Sequence, residues 1–336
     1  MANWLQKQWV AYSLWYLLLI PLSWLFGGIT FLRKLLYKIA FLKSVRLPVP
    51  VIVVGNINVG GTGKTPLVIW LAEQLQLAGY TPGVISRGYG GNSKEVQAVF
   101  ANSNPAQVGD EPVLIAKRIR CPVFIGANRI EAAEALLLRH PECNVIISDD
   151  GLQHYRLQRD VEIVVFDGVK GFGNGALLPA GPLRESKVRL KTVDAIVSNG
   201  EVTNSHAGLK ADNLKVIQMN LQSGRFYNLL DNQQQSDASA FSNQKVLAIA
   251  GIGNPERFFQ QLRKLGLSFD AHSYADHHAF QWQDFESVAA DIVLMTEKDA
   301  VKCQAFAQSN FWVLPVHAVI NNDLIAIVLN KLNMRK

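Results

Sequence analysis

The sequence predicts an α/β protein: a P-loop-containing parallel sheet covered by helices, a second smaller α/β domain, and an N-terminal membrane helix. Three observations predict it. Short runs of aliphatic residues recur between helix-compatible segments, the pattern of strands buried on both faces of a parallel sheet. One such run flows into the glycine-rich GNINVGGTGKTP (55–66), followed by an apolar helical stretch. Finally, residues 8–32 form 25 positions without a charge, long enough to reach across a hydrocarbon core of about 30 Å.

Residues 1–35 are expected to form the anchor. Trp4, Trp9, Trp15 and Trp24, with Tyr12 and Tyr16, suit a headgroup boundary, and no small-residue cleavage site marks a signal peptide. A full span is expected ahead of a helix lying in one leaflet, although Pro21 and the Gly27-Gly28 pair allow either. The net charge of +6 resides here: residues 1–50 hold Lys7, Arg33, Lys34, Lys38, Lys43 and Arg46 and no acid, so the rest of the chain is balanced. Cations following the apolar run place the body in the cytoplasm, at the inner membrane. Charge so confined excludes a general nucleic-acid binder, and the chain is expected to act as a monomer. Cys121, Cys143 and Cys303 include no close pair, which argues against a disulfide framework or a zinc knuckle.

The first domain is assigned to residues 36–205, with strands at 51–54, 84–85, 123–125, 145–147, 163–166 and 195–197 and a helix over 67–77 ending at Gly79. The second is assigned to 206–336. It opens with linker strands at 215–221 and 225–230, then continues with 246–250, a helix at 256–265, and strands at 292–295 and 312–314. GIGNP (251–255) reads as a strand–helix turn, too poor in glycine for a dinucleotide fingerprint.

The turn at 55–66 supplies phosphate chemistry. Gly60, Gly61, Thr62 and Gly63 offer backbone N–H groups to phosphate oxygens, Lys64 adds a positive charge, and Thr65 offers a hydroxyl to Mg²⁺. Asn58 stands where the usual pattern has its first glycine; asparagine tolerates a left-handed backbone, so the turn is expected to survive. A second metal anchor is expected at the end of a neighbouring strand, where Asp149 and Asp150 precede Gly151 and divide the work between metal and water or substrate. Asp110, in VGDEP (108–112), reads equally as a helix cap or as a base accepting a hydroxyl proton. The histidines of YADHHAF (274–280) read as helix caps, as zinc ligands lacking partners, or as an imidazole brought across an interdomain cleft to Asp110. TEKD (296–299) departs from a guanine-reading loop because Lys298 and Asp299 are adjacent, which favours ATP over GTP.

Taken together, the apolar basic N-terminus, VGNINVGGTGKTP, SRGYGG (86–91), VGDEP, SDDGLQH (148–154), LLPAGPLRE (177–185), GIGNPERFF and ADHHAF closely resemble the tetraacyldisaccharide 4'-kinases of lipid A biosynthesis over nearly the whole chain. The resemblance implies transfer of the γ-phosphate of ATP, with Mg²⁺, to the 4'-hydroxyl of an acylated disaccharide 1-phosphate lipid. It implies nucleotide binding by residues 58 and 60–65, with Lys64 catalytic, and a metal held by Thr65, Asp149 and Asp150 with Glu185 nearby. It further implies a base at Asp110 assisted by His277, and phosphate or sugar binding by Arg87, Arg129 and Arg184. An acceptor with several acyl chains stays in the bilayer, since exposing each CH₂ to water costs about 0.8 kcal/mol, so an anchored enzyme suits it. The competing readings are a membrane-anchored P-loop ATPase switch that recruits partners, and a kinase for a small soluble alcohol. Against the first, Val59 stands where such switches carry a second lysine; against the second stands the anchor.

Overall fold

The computed structural model describes Trp9 and residues 14–93, 95–202, 215–286 and 290–335. Trp4, Lys7 and Tyr12 of the expected anchor lie outside the described residues, as does most of the junction between the two assigned domains. The chain runs α1 (Leu14–Lys38), β1 (Val51–Gly55), α2 (Lys64–Leu77), β2 (Pro82–Ser86), β3 (Gln97–Val99), α3 (Pro105–Val108), α4 (Asp110–Arg118) and β4 (Val123–Ile125). Next come α5 (Arg129–Arg139), β5 (Val145–Asp149), β6 (Val161–Asp167), β7 (Ala195–Asn199) and β8 (Val216–Ser223).

Seven of these strands are parallel, in the order β8-β7-β6-β1-β5-β2-β4, with β3 antiparallel at one edge. The strand leading into the glycine-rich turn is thus central. Its residues alternate between two cores: Ile52 and Val54 join Leu67 and Leu71 of α2, whereas Val51 and Val53 join Ile130 and Leu136 of α5. Burial on both faces is why the strand reads as an unbroken apolar run, and each such side chain is worth about 1.5–3 kcal/mol.

The second sheet is β10-β9-β14-β13-β11-β12. Its strands are β9 (Phe226–Asn228), β10 (Gln235–Ser236), β11 (Val246–Ala250), β12 (Asp270–Ser273), β13 (Ile292–Thr296) and β14 (Phe311–Leu314). Its helices are α6 (Pro255–Lys264), α7 (Gln283–Glu286) and α8 (Glu297–Cys303). The chain then returns to the first sheet as β15 (Val316–Ile320), antiparallel to β8, and α9 (Asp323–Asn333).

The division at residues 205/206 is therefore corrected. β8, β15 and α9 belong to the first domain, and the second domain is an insertion between Ser223 and Val316. Leu324, Val328 and Leu332 of α9 complete the core over α2. The two crossing strands run side by side, with Gly224 N–H donating to Pro315 O at 3.0 Å. Nothing local marks this return, because the β8–β15 pairing joins residues about a hundred positions apart.

Helix α1 forms where expected but lies along the body. Residues Tyr16, Leu19, Ile20, Ser23, Phe26, Gly27, Thr30, Lys34 and Tyr37 are buried or half-buried, a stripe at helical spacing, while the opposite face leaves Leu18, Leu22, Trp24, Leu25, Phe31 and Leu32 exposed. Ser23 Oγ donates to Leu177 O at 2.7 Å, and Tyr37 meets Tyr155 at 6.0 Å between ring centres. Upstream, Trp9 Nε1 donates to Pro179 O at 3.0 Å, and Trp9 O accepts from Asn174 N–H at 2.8 Å. Trp9 and Ser23 thus return to the same loop, which ties the start and middle of this segment to the body while most of the helix surface stays exposed.

Candidate active site

The phosphate-binding turn is set by its neighbours. Gly63 caps α2 with φ 92°, a left-handed conformation, and a Cβ there would lie 2.3 Å from Asn199 Nδ2, which donates to Thr62 O at 3.2 Å. Asn58, however, is not left-handed: it forms a bridge with Leu183 while Val59 N–H donates to Pro182 O at 2.8 Å. The missing glycine is tolerated because this position is paired to a neighbouring segment, and no left-handed residue is required there.

Register places the carboxylates. β5 pairs with β1 so that Asp149 lies opposite Val54, at the strand end that feeds the turn. Asp150 turns away with φ 47° and meets Lys64 Nζ at 3.5 Å and Arg184 Nη1 at 3.3 Å. Burial alone would raise its carboxyl, but these two cations outweigh it and hold the group below the ordinary carboxylate value. Asp149 is 1% exposed, accepts a hydrogen bond from Ser86 Oγ at 3.2 Å, and keeps Oδ1 buried with no hydrogen-bond partner. Burial, then the charges of Glu111 and Asp150, push it up to about 7 against the pull of Lys64.

Arg129, 4% exposed, donates to Gly126 O at 3.2 Å and leaves Nε without a partner. Burial pushes its guanidinium down to about 10, opposed by Asp149 and Asp150, and Arg87 adds to the depression. Arg184 and Arg129 therefore act on the two carboxylates, and Arg87 lies near enough to Arg129 to affect its charge. Glu185 does not join them. Its Oε1 accepts from Gln153 Nε2 at 2.8 Å, its Oε2 accepts from the Tyr155 hydroxyl, and Arg189 Nε lies 3.5 Å away. With both oxygens engaged, Glu185 braces the chain beside Arg184.

Across the cleft, Asp110 and His277 meet although 167 residues separate them: His277 Nδ1 is 3.1 Å from both Asp110 oxygens. Asp110 is 4% exposed; burial would raise its carboxyl, but the hydrogen bond to His277 and the charges of Lys298 and Lys302 bring it below the ordinary value. The same hydrogen bond raises His277, whose left-handed backbone (φ 60°) is held with Tyr89 against its ring at 5.1 Å. Asp110 is the first residue of its helix, whose N-cap is Gly109 without a side-chain cap bond; its Oδ1 also accepts from the adjacent Glu111 N–H at 2.9 Å. The second histidine, His278, bonds Asp284 at 3.1 Å and packs on Tyr274. Among the described residues no three His, Cys, Asp or Glu side chains converge as a metal cluster.

Helix α8 supplies residues that sequence reasoning missed. Thr296 caps it, its Oγ1 accepting from Asp299 N–H at 3.2 Å while the hydroxyl donates to Asp299 Oδ2 at 2.7 Å, so TEKD is a helix start. Lys298 reaches Glu111 at 3.0 Å; one turn on, Lys302 lies 2.8 Å from Asp299 and 3.9 Å from Asp110. Their four-residue spacing on one helix face was the available signal, but nothing local said what the face meets. A cavity of about 470 Å³ opens beside the pair, walled by Asp110, His277, Lys302, Lys117, Asn104 and Phe280 among others. GIGNP also does more than turn the chain: a Cβ on Gly253 would stand 2.9 Å from the backbone nitrogen of Gly61, so the two domains touch at the phosphate-binding turn.

Residues 15–333 match the family model described as LpxK, Tetraacyldisaccharide-1-P 4'-kinase. The chain belongs to this family. It is 51% identical over 331 residues to the tetraacyldisaccharide 4'-kinase of Methylobacillus flagellatus, covering 98% of this chain and 96% of the relative. It is 48% identical to that of Dechloromonas aromatica, covering 100% and 99%. Among solved structures, LpxK from Aquifex aeolicus in complex with ATP matches with a TM-score of 0.79 at 30% identity, covering 95% of this chain and 100% of that one. The chain is accordingly an enzyme of lipid A biosynthesis, a kinase that phosphorylates a sugar hydroxyl.

Proposed function

We propose that this kinase transfers the γ-phosphate of ATP to the 4'-hydroxyl of a tetraacylated disaccharide 1-phosphate at the cytoplasmic leaflet of the inner membrane. The observation that carries the reading is the pairing of a carboxylate and an imidazole, Asp110 and His277, across a cleft whose other wall holds Lys64 and two strand-end carboxylates. Phosphoryl transfer to an alcohol needs both halves, charge at the phosphates and a base at the hydroxyl.

In this mechanism the backbone N–H groups of residues 60–63 cradle the phosphates and Lys64 lies against the transferred group, with its ammonium aimed by Asp150. Asp110 accepts the hydroxyl proton as the oxygen–phosphorus bond forms and ADP departs. His277 orients that carboxylate and takes part of the developing charge. The donor set fits Mg²⁺: Asp149 keeps a buried oxygen without a partner beside the turn that carries Thr65, and Mg²⁺ takes one or two protein ligands alongside phosphates and waters. Thr65 and Asp149 would hold it, and its charge, when bound, offsets the charge on the phosphates. Asp150, already engaged by Lys64 and Arg184, acts on the cations. The cavity beside Asp110 lies within the ordinary range of about 300–1,000 Å³ for ligand pockets and receives the sugar.

The free apolar face of α1 lies in the plane of the leaflet, with Arg33, Lys38, Lys43 and Arg46 toward anionic headgroups. Purified full-length chain in detergent micelles, given labelled ATP, Mg²⁺ and the acceptor, should yield the 4'-phosphate; intact ATP binding without product would sink the reading. A reporter enzyme fused to the N-terminus should be active on the cytoplasmic side, whereas a spanning helix would place it in the periplasm.

A further inference from the structure

Lys298 sits in the first turn of α8 with its side chain only 16% exposed, and its ammonium reaches three groups. Glu111 Oε1 lies at 3.0 Å, Asp276 Oδ1 at 3.2 Å and His277 Nε2 at 3.4 Å. Glu111 belongs to the first domain and follows Asp110 in the chain; Asp276 and His277 form a turn of the second. An exposed ion pair contributes little, but a largely enclosed ammonium sharing its donors among three partners fixes their relative positions. In the neutral form of His277, Nε2 accepting from Lys298 leaves the Nδ1 proton to donate to Asp110. The turn itself needs outside support, because His277 holds a left-handed backbone and Asp276 closes only a local bond, its Oδ1 accepting from His277 N–H at 3.1 Å.

We propose that Lys298 is a positioning residue for phosphoryl transfer: by tying Glu111 to the Asp276–His277 turn, it seats His277 on Asp110 and makes assembly of the base depend on closure of the two domains. This inference rests on reading the cleft as the acceptor site of the kinase. Lys302, the other cation of α8, has a different task, since its ammonium is paired within its own helix to Asp299 and borders the cavity. The arrangement explains why a short helix capped by Thr296 carries lysines four residues apart toward the first domain.

The test uses the full-length enzyme in detergent micelles. Lys298→Met should lower kcat about 100-fold, the effect of displacing a catalytic group by roughly an ångström, and leave KM for ATP within about threefold. Lys298→Arg, which keeps the charge and its donors, should recover kcat to within about tenfold of wild type. Deuterium exchange over residues 274–279 should quicken in the Met variant and stay near wild type in the Arg variant, a readout that needs no acceptor. Should Lys298→Met fail to fold, Glu111→Gln cuts the same link from the first domain and must show the same split and the same quickened exchange. A kcat for Lys298→Met within about twofold of wild type, an Arg variant as impaired as the Met variant, or a loss confined to KM for ATP would each overturn the proposal. If wild type leaves the acceptor unmodified while exchange responds as described, the assigned reaction fails and the clamp stands.

Discussion

The two walls of the cleft are assembled in different ways. The wall that holds phosphate comes largely from consecutive residues, 55–66, and from the end of a strand directly hydrogen-bonded to the one before them, with Val54 opposite Asp149. The wall proposed to activate the hydroxyl comes from four separated stretches, around Tyr89, Asp110, His277 and Lys298, two of which lie in an inserted domain. The first wall is specified by local backbone chemistry plus one strand pairing. The second exists only when both domains are folded and closed. Under the proposed mechanism, such a fold keeps its nucleotide site formed while the proposed base is assembled or dispersed, which would couple chemistry to closure and limit wasteful transfer to water.

The comparison is broken most severely at the base. Asp110→Asn should lower kcat about 10³-fold, within the range expected for removing a general base, and leave ATP affinity within about threefold. Steady-state kinetics alongside calorimetric ATP titration check this, and a variant that turns over normally would remove Asp110 from the role of base. Lys64→Met attacks the opposite wall. Its kcat should fall about 10²-fold, the scale for losing one electrostatic donor at a charge that develops in the transition state, and here ATP affinity should fall as well. Two variants that fail with the same kinetic pattern would mean that the walls are not separable.

The same contrast explains what was legible in the sequence. Runs such as 51–54 and 145–147 announced buried parallel strands because both faces of each are covered, and the glycine-rich turn announced phosphate because its residues act through their own backbone. The insertion was not legible: β8 and β15 pair across the whole second domain, and α9 looks locally like any amphipathic C-terminal helix. Asp110 and His277 were readable as residue types but could not be chosen between cap and base, since a cap is settled within one turn and a base by a partner 167 residues away. Lys298 escaped altogether, because TEKD reads as a loop signature until Thr296 is seen capping a helix. Nor were the partners of Glu185 legible: Gln153, Tyr155 and Arg189 reach it from separate positions in the chain.

A milder break wedges the walls apart where they meet. Gly253 has an ordinary negative-φ backbone, so a side chain there meets no local strain, but its Cβ would press on the Gly61 nitrogen. Gly253→Val should hold the cleft ajar and lower kcat about tenfold, equivalent to roughly 1.4 kcal/mol in the barrier, while ATP dissociation constants stay within about threefold. Small-angle scattering should show a slightly more open molecule. An unchanged kcat would mean that the contact between the glycines is incidental to closure.

The smallest effect is a pH dependence of stability at the domain boundary, and its sign follows from the His277 shift. Asp110 raises the pKa of His277 above 6.5, so the folded state binds that proton more tightly than the unfolded state does. The stabilisation is complete below about pH 6.5 and is lost as the pH rises through the folded value. Asp110 behaves oppositely: its depressed carboxyl contributes above 3.8, the ordinary value, and loses that contribution only as the pH falls below it, so it is constant over the alkaline window. Wild type should therefore exceed His277→Gln in Tm at pH 6 by more than at pH 9, with a difference between the two pH values on the order of 1–2 °C for a chain this size. A gap that is constant, or that widens on raising the pH, would show that His277 is held neutral against Asp110. In that case the imidazole contributes to the cleft only as a hydrogen-bonding prop, and the charge that keeps Asp110 ionised comes from Lys298 and Lys302 alone.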